Sequence, residues 1–122
     1  MVLLKQVMSS KIHNAVIKKL ELSYNGSIGI DKKLLLESGI IPGEKVQVLN
    51  FNNGMRYETY VIEEKEGSGI IALYGPAARL GETGDRICII SYVLINADET
   101  YKFRQKTVIV DEYNVITEVK GG

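Results

Sequence analysis

Several kinds of residue are scarce in this 122-residue chain, and each shortage closes off a class of function. There is one cysteine, one histidine, no tryptophan and two prolines. A lone Cys88 cannot form an internal disulfide, and one Cys with one His cannot make a Cys/His zinc site. Its setting, Arg86-Ile-Cys-Ile-Ile-Ser91, reads as buried strand, where cysteine behaves as a small hydrophobe. Fifteen Lys and Arg balance fifteen Asp and Glu, so the formal net charge is zero. Phosphate neutralisation supplies most nucleic-acid affinity, and the single basic run, Lys102 to Lys106, is short, so no nucleic-acid partner is expected. Aromatic residues make up only 7% of the chain, which leaves no stacking platform for bases or sugars. Neither an apolar leader nor a stretch near the ~20 apolar residues of a membrane span is present. A cytoplasmic protein without a membrane partner is the expectation. Phosphate-binding loops, dinucleotide fingerprints and nucleophile elbows are also missing.

What is present is a succession of short strand patterns. A length of 122 residues fits one domain, 1–122, with one core. Ala15-Val-Ile and Leu20-Glu-Leu-Ser-Tyr24 carry β-branched residues and apolar alternation. Asn25-Gly26 follows as a hairpin signal, and Ile28-Gly-Ile30 resumes the extended chain. Asp31 is placed to cap a helix over Lys32 to Ser38 that Gly39 stops. Further strands are expected over Glu44 to Asn50, Arg56 to Ile62, Ile70 to Leu73, Arg86 to Ile95, Thr107 to Val110 and Asn114 to Thr117. Gly75 to Arg79 and Asp98 to Phe103 read as single helical turns. Many short strands with few short helices indicate a mainly β, closed or sandwiched domain.

Tyr24-Asn-Gly-Ser27 has three readings on its own residues. It is a hairpin turn, or an Asn-x-Ser glycosylation sequon if the chain ever meets that machinery. Or it is chemical, because a serine hydroxyl can attack the carbonyl before it when glycine allows an unusual backbone there.

The wider order of motifs selects among them. Lys11-Ile-His13-Asn-Ala, Leu22-Ser-Tyr-Asn-Gly-Ser-Ile-Gly-Ile-Asp31 and Ser38-Gly-Ile-Ile-Pro-Gly-Glu-Lys-Val-Gln-Val48 come in succession. Asn53-Gly-Met-Arg-Tyr-Glu-Thr-Tyr60, Gly67-Ser-Gly-Ile-Ile71, Gly75-Pro-Ala-Ala-Arg79 and Gly84-Asp85 continue the series. From about residue 1 to residue 117 this resembles the pyruvoyl-dependent aspartate 1-decarboxylase family. The resemblance implies a double-psi β-barrel, a homotetramer and self-cleavage into a β chain, 1–26, and an α chain, 27–122. Gly26 and Ser27 are then the processing pair, with Thr59 polarising the Gly26 carbonyl. Ser27 becomes a covalent pyruvoyl cofactor that captures L-aspartate as a Schiff base and releases carbon dioxide and β-alanine for pantothenate and coenzyme A synthesis. Tyr60 is implied as the proton donor. Arg56 and Lys11 are implied for the substrate carboxylates, which suits arginine's planar fork, and His13, Tyr24, Gly75, Pro76 and Ala77 for the rest of the pocket. No metal is implied.

Two departures stand out. The family usually has Asn-Gly-Ala-Ala-Ala where this chain has Tyr74-Gly-Pro-Ala-Ala78, and tyrosine cannot replace an amide's donor and acceptor together. A pyruvoyl decarboxylase of another small amino acid, or an unprocessed barrel that only binds a ligand, are the alternatives this leaves. Strand alternation also places Thr59 opposite Arg56 and Tyr60, while Lys11 and His13 share a face. A pocket fed by two subunits is the expected resolution.

Overall fold

A computed structural model describes all residues from Met1 to Gly122. Nine strands make one mainly β sheet in the order β2-β6-β3-β5-β4-β7-β1-β8-β9. In chain order they are β1 (Leu4–Val16), β2 (Lys19–Glu21), β3 (Ser27–Asp31), β4 (Lys45–Asn50), β5 (Arg56–Glu64), β6 (Ile71–Tyr74), β7 (Arg86–Asn96), β8 (Lys106–Val110) and β9 (Ile116–Gly121). One helix, α1 (Lys32–Ser38), follows β3, and 3-10 turns occupy Gly75–Arg79 and Ala97–Lys102. The arrangement is consistent with the expected double-psi barrel. Within it β6 runs parallel to β2 on one edge and antiparallel to β3 on the other.

Burial explains the strand choices. β3 and β6 are buried at every residue, the state expected of short strands covered on both faces. Ile12, Ile28, Ile30, Val48, Ile71, Leu73, Ile87 and Ile89 are fully buried in a single cluster. Each such side chain contributes roughly 1.5–3 kcal/mol by leaving water. The helix forms as its end signals require. The Asp31 carboxylate accepts from the Lys33 N–H at 2.8 Å, and Gly39 ends the helix at φ 80°. The same carboxylate accepts from the Gly67 and Gly69 amides at 2.9 and 2.8 Å, tying the turn after β5 to the helix start.

Four expectations change. Leu4–Asn14 belongs to β1, although this stretch has no clean alternation. It pairs with β7 on one edge and, further along, with β8 on the other, across irregularities at Met8/Ser10 and Ile12/Ala15. The strand expected over Leu20 to Tyr24 ends at Glu21, beyond which Leu22 and Tyr24 are exposed. Asn25-Gly26 makes no hairpin. β2 and β3 pair with opposite edges of β6 instead of each other, and neither Asn25 nor Gly26 has a positive φ. The last strand starts at Ile116, because Asn114 adopts φ 62° and turns its amide inward. There it accepts from the Val16 N–H at 2.7 Å and donates to the Val16 and Gly69 carbonyls at 2.9 and 2.8 Å. Asn114→Ala strands those backbone groups out of water. It should lower the stability by on the order of 3 kcal/mol in urea unfolding at fixed protein concentration.

Candidate active site

Ser27 opens β3 opposite Tyr74 of β6. Its residue surface is wholly buried, and its hydroxyl donates to the Asn25 carbonyl at a long 3.4 Å. The preceding chain must cross the end of β6 to travel from that strand's far edge to its near one. It crosses directly over Gly75, whose φ is 65°. A Cβ there would stand 2.5 Å from the Tyr24 carbonyl oxygen and 2.7 Å from the Gly26 nitrogen, so only glycine fits beneath the crossing. Pro76 comes next and lies against Gly26, where an added Cβ would stand 3.3 Å from the proline Cδ.

Beside this crossing opens a cleft of about 360 Å³. Gly26 lies on one side, Tyr57, Glu58, Thr59 and Tyr60 on another, and Pro76, Ala77 and Leu80 complete it. Four consecutive strand residues line one cleft because of how β5 is paired. β3 meets β5 only from Ile28 opposite Val61 onward, while Arg56 to Tyr60 pair with β4 alone. The cleft therefore opens on the unpaired edge of β5. Thr59 and Tyr60, on opposite faces of the strand, both reach it from the same chain, with no bulge in the β4–β5 register. For these two residues the expected two-subunit explanation is not required.

Tyr57 and Glu58 border the cleft without having been expected there. No period in the sequence signals them, because their position depends on where β3 stops pairing. The Tyr57 hydroxyl is buried with no hydrogen-bond partner, and burial pushes its pKa up to about 12.

Tyr74 does not line the cleft. Its ring packs over Gly29, its hydroxyl donates to Glu64 Oε2 at 2.6 Å, and the Tyr24 ring lies 4.9 Å away. Burial, then the bond to Glu64 and its charge, raise the Tyr74 pKa well above the usual range. The tyrosine that replaces the family's usual asparagine thus leaves the cleft open instead of plugging it.

Lys11, His13 and Arg56 also lie outside the cleft lining. Lys11 and His13 stand on β1 between β7 and β8. The His13 ring meets Phe51 edge-on at 5.5 Å, and the Arg86 guanidinium sits 5.7 Å over the same Phe51 ring. Arg56 is exposed and reaches only Gln47, at 3.5 Å. Tyr24 is exposed on the crossing itself. A second depression of equal volume, between α1 and the Gly67–Gly69 turn, is lined by Asp31 and Asn114, which backbone groups already engage. No group of three or more His, Cys, Asp or Glu is placed to hold a metal ion, and no helix is long and apolar enough to cross a membrane.

The chain thus sets a buried serine, at a Gly–Ser bond on the edge of a cleft, beside a threonine and a tyrosine of the neighbouring strand, the makings of an active site in a small β protein. The sequence model for aspartate decarboxylase matches residues 3–117, and the chain belongs to that family. It is 52% identical over 114 residues to the aspartate 1-decarboxylase of Carboxydothermus hydrogenoformans, covering 93% of this chain and 90% of that one. The enzyme of the same name from Pelotomaculum thermopropionicum is 49% identical over 95% of this chain and 88% of its own. That from Campylobacter jejuni is 50% identical over 93% and 89%.

Burial lowers the His13 pKa from its usual 6.5, and the charges of Lys11, Arg86 and Lys120 lower it further. Below 6.5 the unfolded chain takes up the proton first, so the folded state loses this contribution as pH falls through the lowered value. NMR titration of the single histidine should give a midpoint below 6.5, and Lys11→Met should raise it.

Proposed function

We propose that the chain cleaves itself between Gly26 and Ser27, and that the processed protein decarboxylates L-aspartate to β-alanine and carbon dioxide in the cytoplasm. The product feeds pantothenate and coenzyme A synthesis. The observation that carries the reading is the fully buried Ser27 at a Gly–Ser bond bordering a cleft that holds both Thr59 and Tyr60.

In processing, Ser27 Oγ attacks the Gly26 carbonyl carbon. The C–N bond breaks, the hydroxyl proton passes to the nitrogen, and an ester joins residues 1–26 to residues 27–122. Nothing donates to Ser27 Oγ in the fold, so its lone pairs are free for this attack. Thr59, beside Gly26 in the cleft, supplies a hydrogen bond to the carbonyl oxygen as it gains charge. Loss of the residue 27 α-proton then expels the Gly26 carboxylate from Cβ. Water replaces the nitrogen, which leaves as ammonia, and residue 27 ends as a pyruvoyl group.

The residues around position 27 fit such a group. Ser27 is enclosed, Gly75 leaves the crossing unobstructed, and the cleft at Gly26 is large enough for a four-carbon amino acid. The group supplies a ketone that captures an amine and an electron sink for the carboxylate's departure. Tyr60, 42% exposed at the cleft, hands a proton to the substrate α-carbon. Arg56 pairs bidentately with a substrate carboxylate and Lys11 adds a second cation. Both lie outside the cleft lining, as does His13. We assign the three to a neighbouring subunit's contribution in a homotetramer. Tyr24, Gly75, Pro76 and Ala77 shape the pocket around position 27.

Intact-mass measurement on purified protein should show two fragments that meet at Gly26/Ser27, and carbon dioxide release from aspartate should exceed that from glutamate. Ser27→Ala should remain one full-length chain without activity. Tyr60→Phe should still be cut but decarboxylate aspartate ~100-fold more slowly, the usual scale for a lost proton donor. A wild-type chain that stays whole after prolonged warm incubation contradicts the reading.

A further inference from the structure

On the outer face of β3, Tyr74 from β6 and Glu64 from β5 reach toward each other across Gly29 and meet in a 2.6 Å hydrogen bond. Gly29 has to be glycine for this: a Cβ at that position would stand 2.9 Å from Tyr74 Cε2 and collide with the Glu64 carboxylate. The Tyr24 ring, two residues before Gly26, lies against the anchored Tyr74 ring at 4.9 Å with the planes inclined at 44°. Lys19 Nζ stands 5.6 Å over the same Tyr74 ring. Tyr24 is otherwise exposed, and the crossing segment forms no strand. Gly75 supports the crossing from below, and the tyrosine pair grips it from the outside.

We infer that Tyr74, held by Glu64, is a positioning residue for self-cleavage: it clamps Tyr24 and so fixes the Gly26 carbonyl in front of the Ser27 hydroxyl. The inference rests on the self-cleavage proposed above. It gives Tyr74 a part in the reaction although its side chain never enters the cleft. The amide chemistry of the usual asparagine is replaced by a ring and a hydroxyl acting through Tyr24. The clamp acts on the segment that carries the scissile bond, so its effect is read in the rate of cleavage.

The test is the first-order rate of cleavage of full-length protein, followed by intact mass under conditions where circular dichroism shows each variant folded. Removing a hydrogen bond to a charged acceptor is expected to slow positioning about tenfold. Tyr74→Phe and Glu64→Leu should each show that loss. Glu64→Gln, whose amide oxygen still accepts from the tyrosine, should cleave within about twofold of wild type. The double variant Tyr74→Phe/Glu64→Leu should be no slower than either single one, since both remove the same bond. If wild type cleaves and Tyr74→Phe cleaves as fast, or the two single losses multiply, the clamp is overturned while self-cleavage stands. A wild-type chain that never cleaves overturns both.

Discussion

The chain between β2 and β3 has to pass over the end of β6, because those two strands pair with opposite edges of it. Much of the site follows from that constraint. The crossing needs a backbone at its foot without a side chain, and Gly75 at φ 65° supplies it. It brings Tyr24 to Gly26 across the end of a strand instead of along a hydrogen-bonded ladder. It delivers Ser27 into β3 at the first position where that strand is fully enclosed. A hairpin at Asn25-Gly26 would have left the bond exposed at a turn tip and satisfied by its neighbours. The crossing instead leaves Gly26 half-buried and Ser27 wholly buried, with a single long hydrogen bond from the serine hydroxyl.

The second consequence lies on β5. Since β3 begins only at Ser27, the first half of β5 has no neighbour on that side, and its free edge becomes the cleft wall. An open strand edge normally invites pairing with another chain. Here Gly26, Pro76, Ala77 and Leu80 border the space beside it. Residues from both faces of one strand thereby become neighbours around a single point. Three ion pairs exist, all between exposed side chains, where such pairs contribute little. The architecture rests on packed isoleucine, valine and leucine and on buried polar pins such as Asp31 and Asn114.

Local signals in the sequence were reliable where local chemistry decides the outcome. Asp31 and Gly39 bound α1 as expected because a cap and a left-handed stop are properties of a few adjacent residues. β4 and β7 follow their apolar patterns because they run through the middle of the sheet. Asn25-Gly26 misled because its turn preference is modest beside the pairing of β2 and β3 with β6. Asn114 read as strand because its inward amide serves carbonyls 45 and 98 residues away in the chain. Gly26, Thr59, Tyr60, Gly75, Pro76 and Ala77 were named from ordered motifs, and one chain gathers them at the crossing and the cleft beside it. That Thr59 and Tyr60 share a wall could not be read from alternation, since alternation describes faces and this wall is an edge. Tyr74 reads from the sequence as a pocket residue that lacks the usual amide. Glycine at position 29 gives its ring another place to go, and only the fold reveals that pairing.

The central claim is that Ser27, and not water, breaks the Gly26–Ser27 bond. Processing of freshly purified full-length protein in heavy-oxygen water tests it directly through the mass of the released 1–26 fragment. Attack by the serine followed by elimination leaves the Gly26 carboxylate with its own carbonyl oxygen and the serine Oγ. The fragment should then carry no heavy oxygen. A 1–26 fragment that takes up one heavy oxygen at its new carboxylate means that water cut the peptide bond directly or hydrolysed the ester in place of elimination, and contradicts the account.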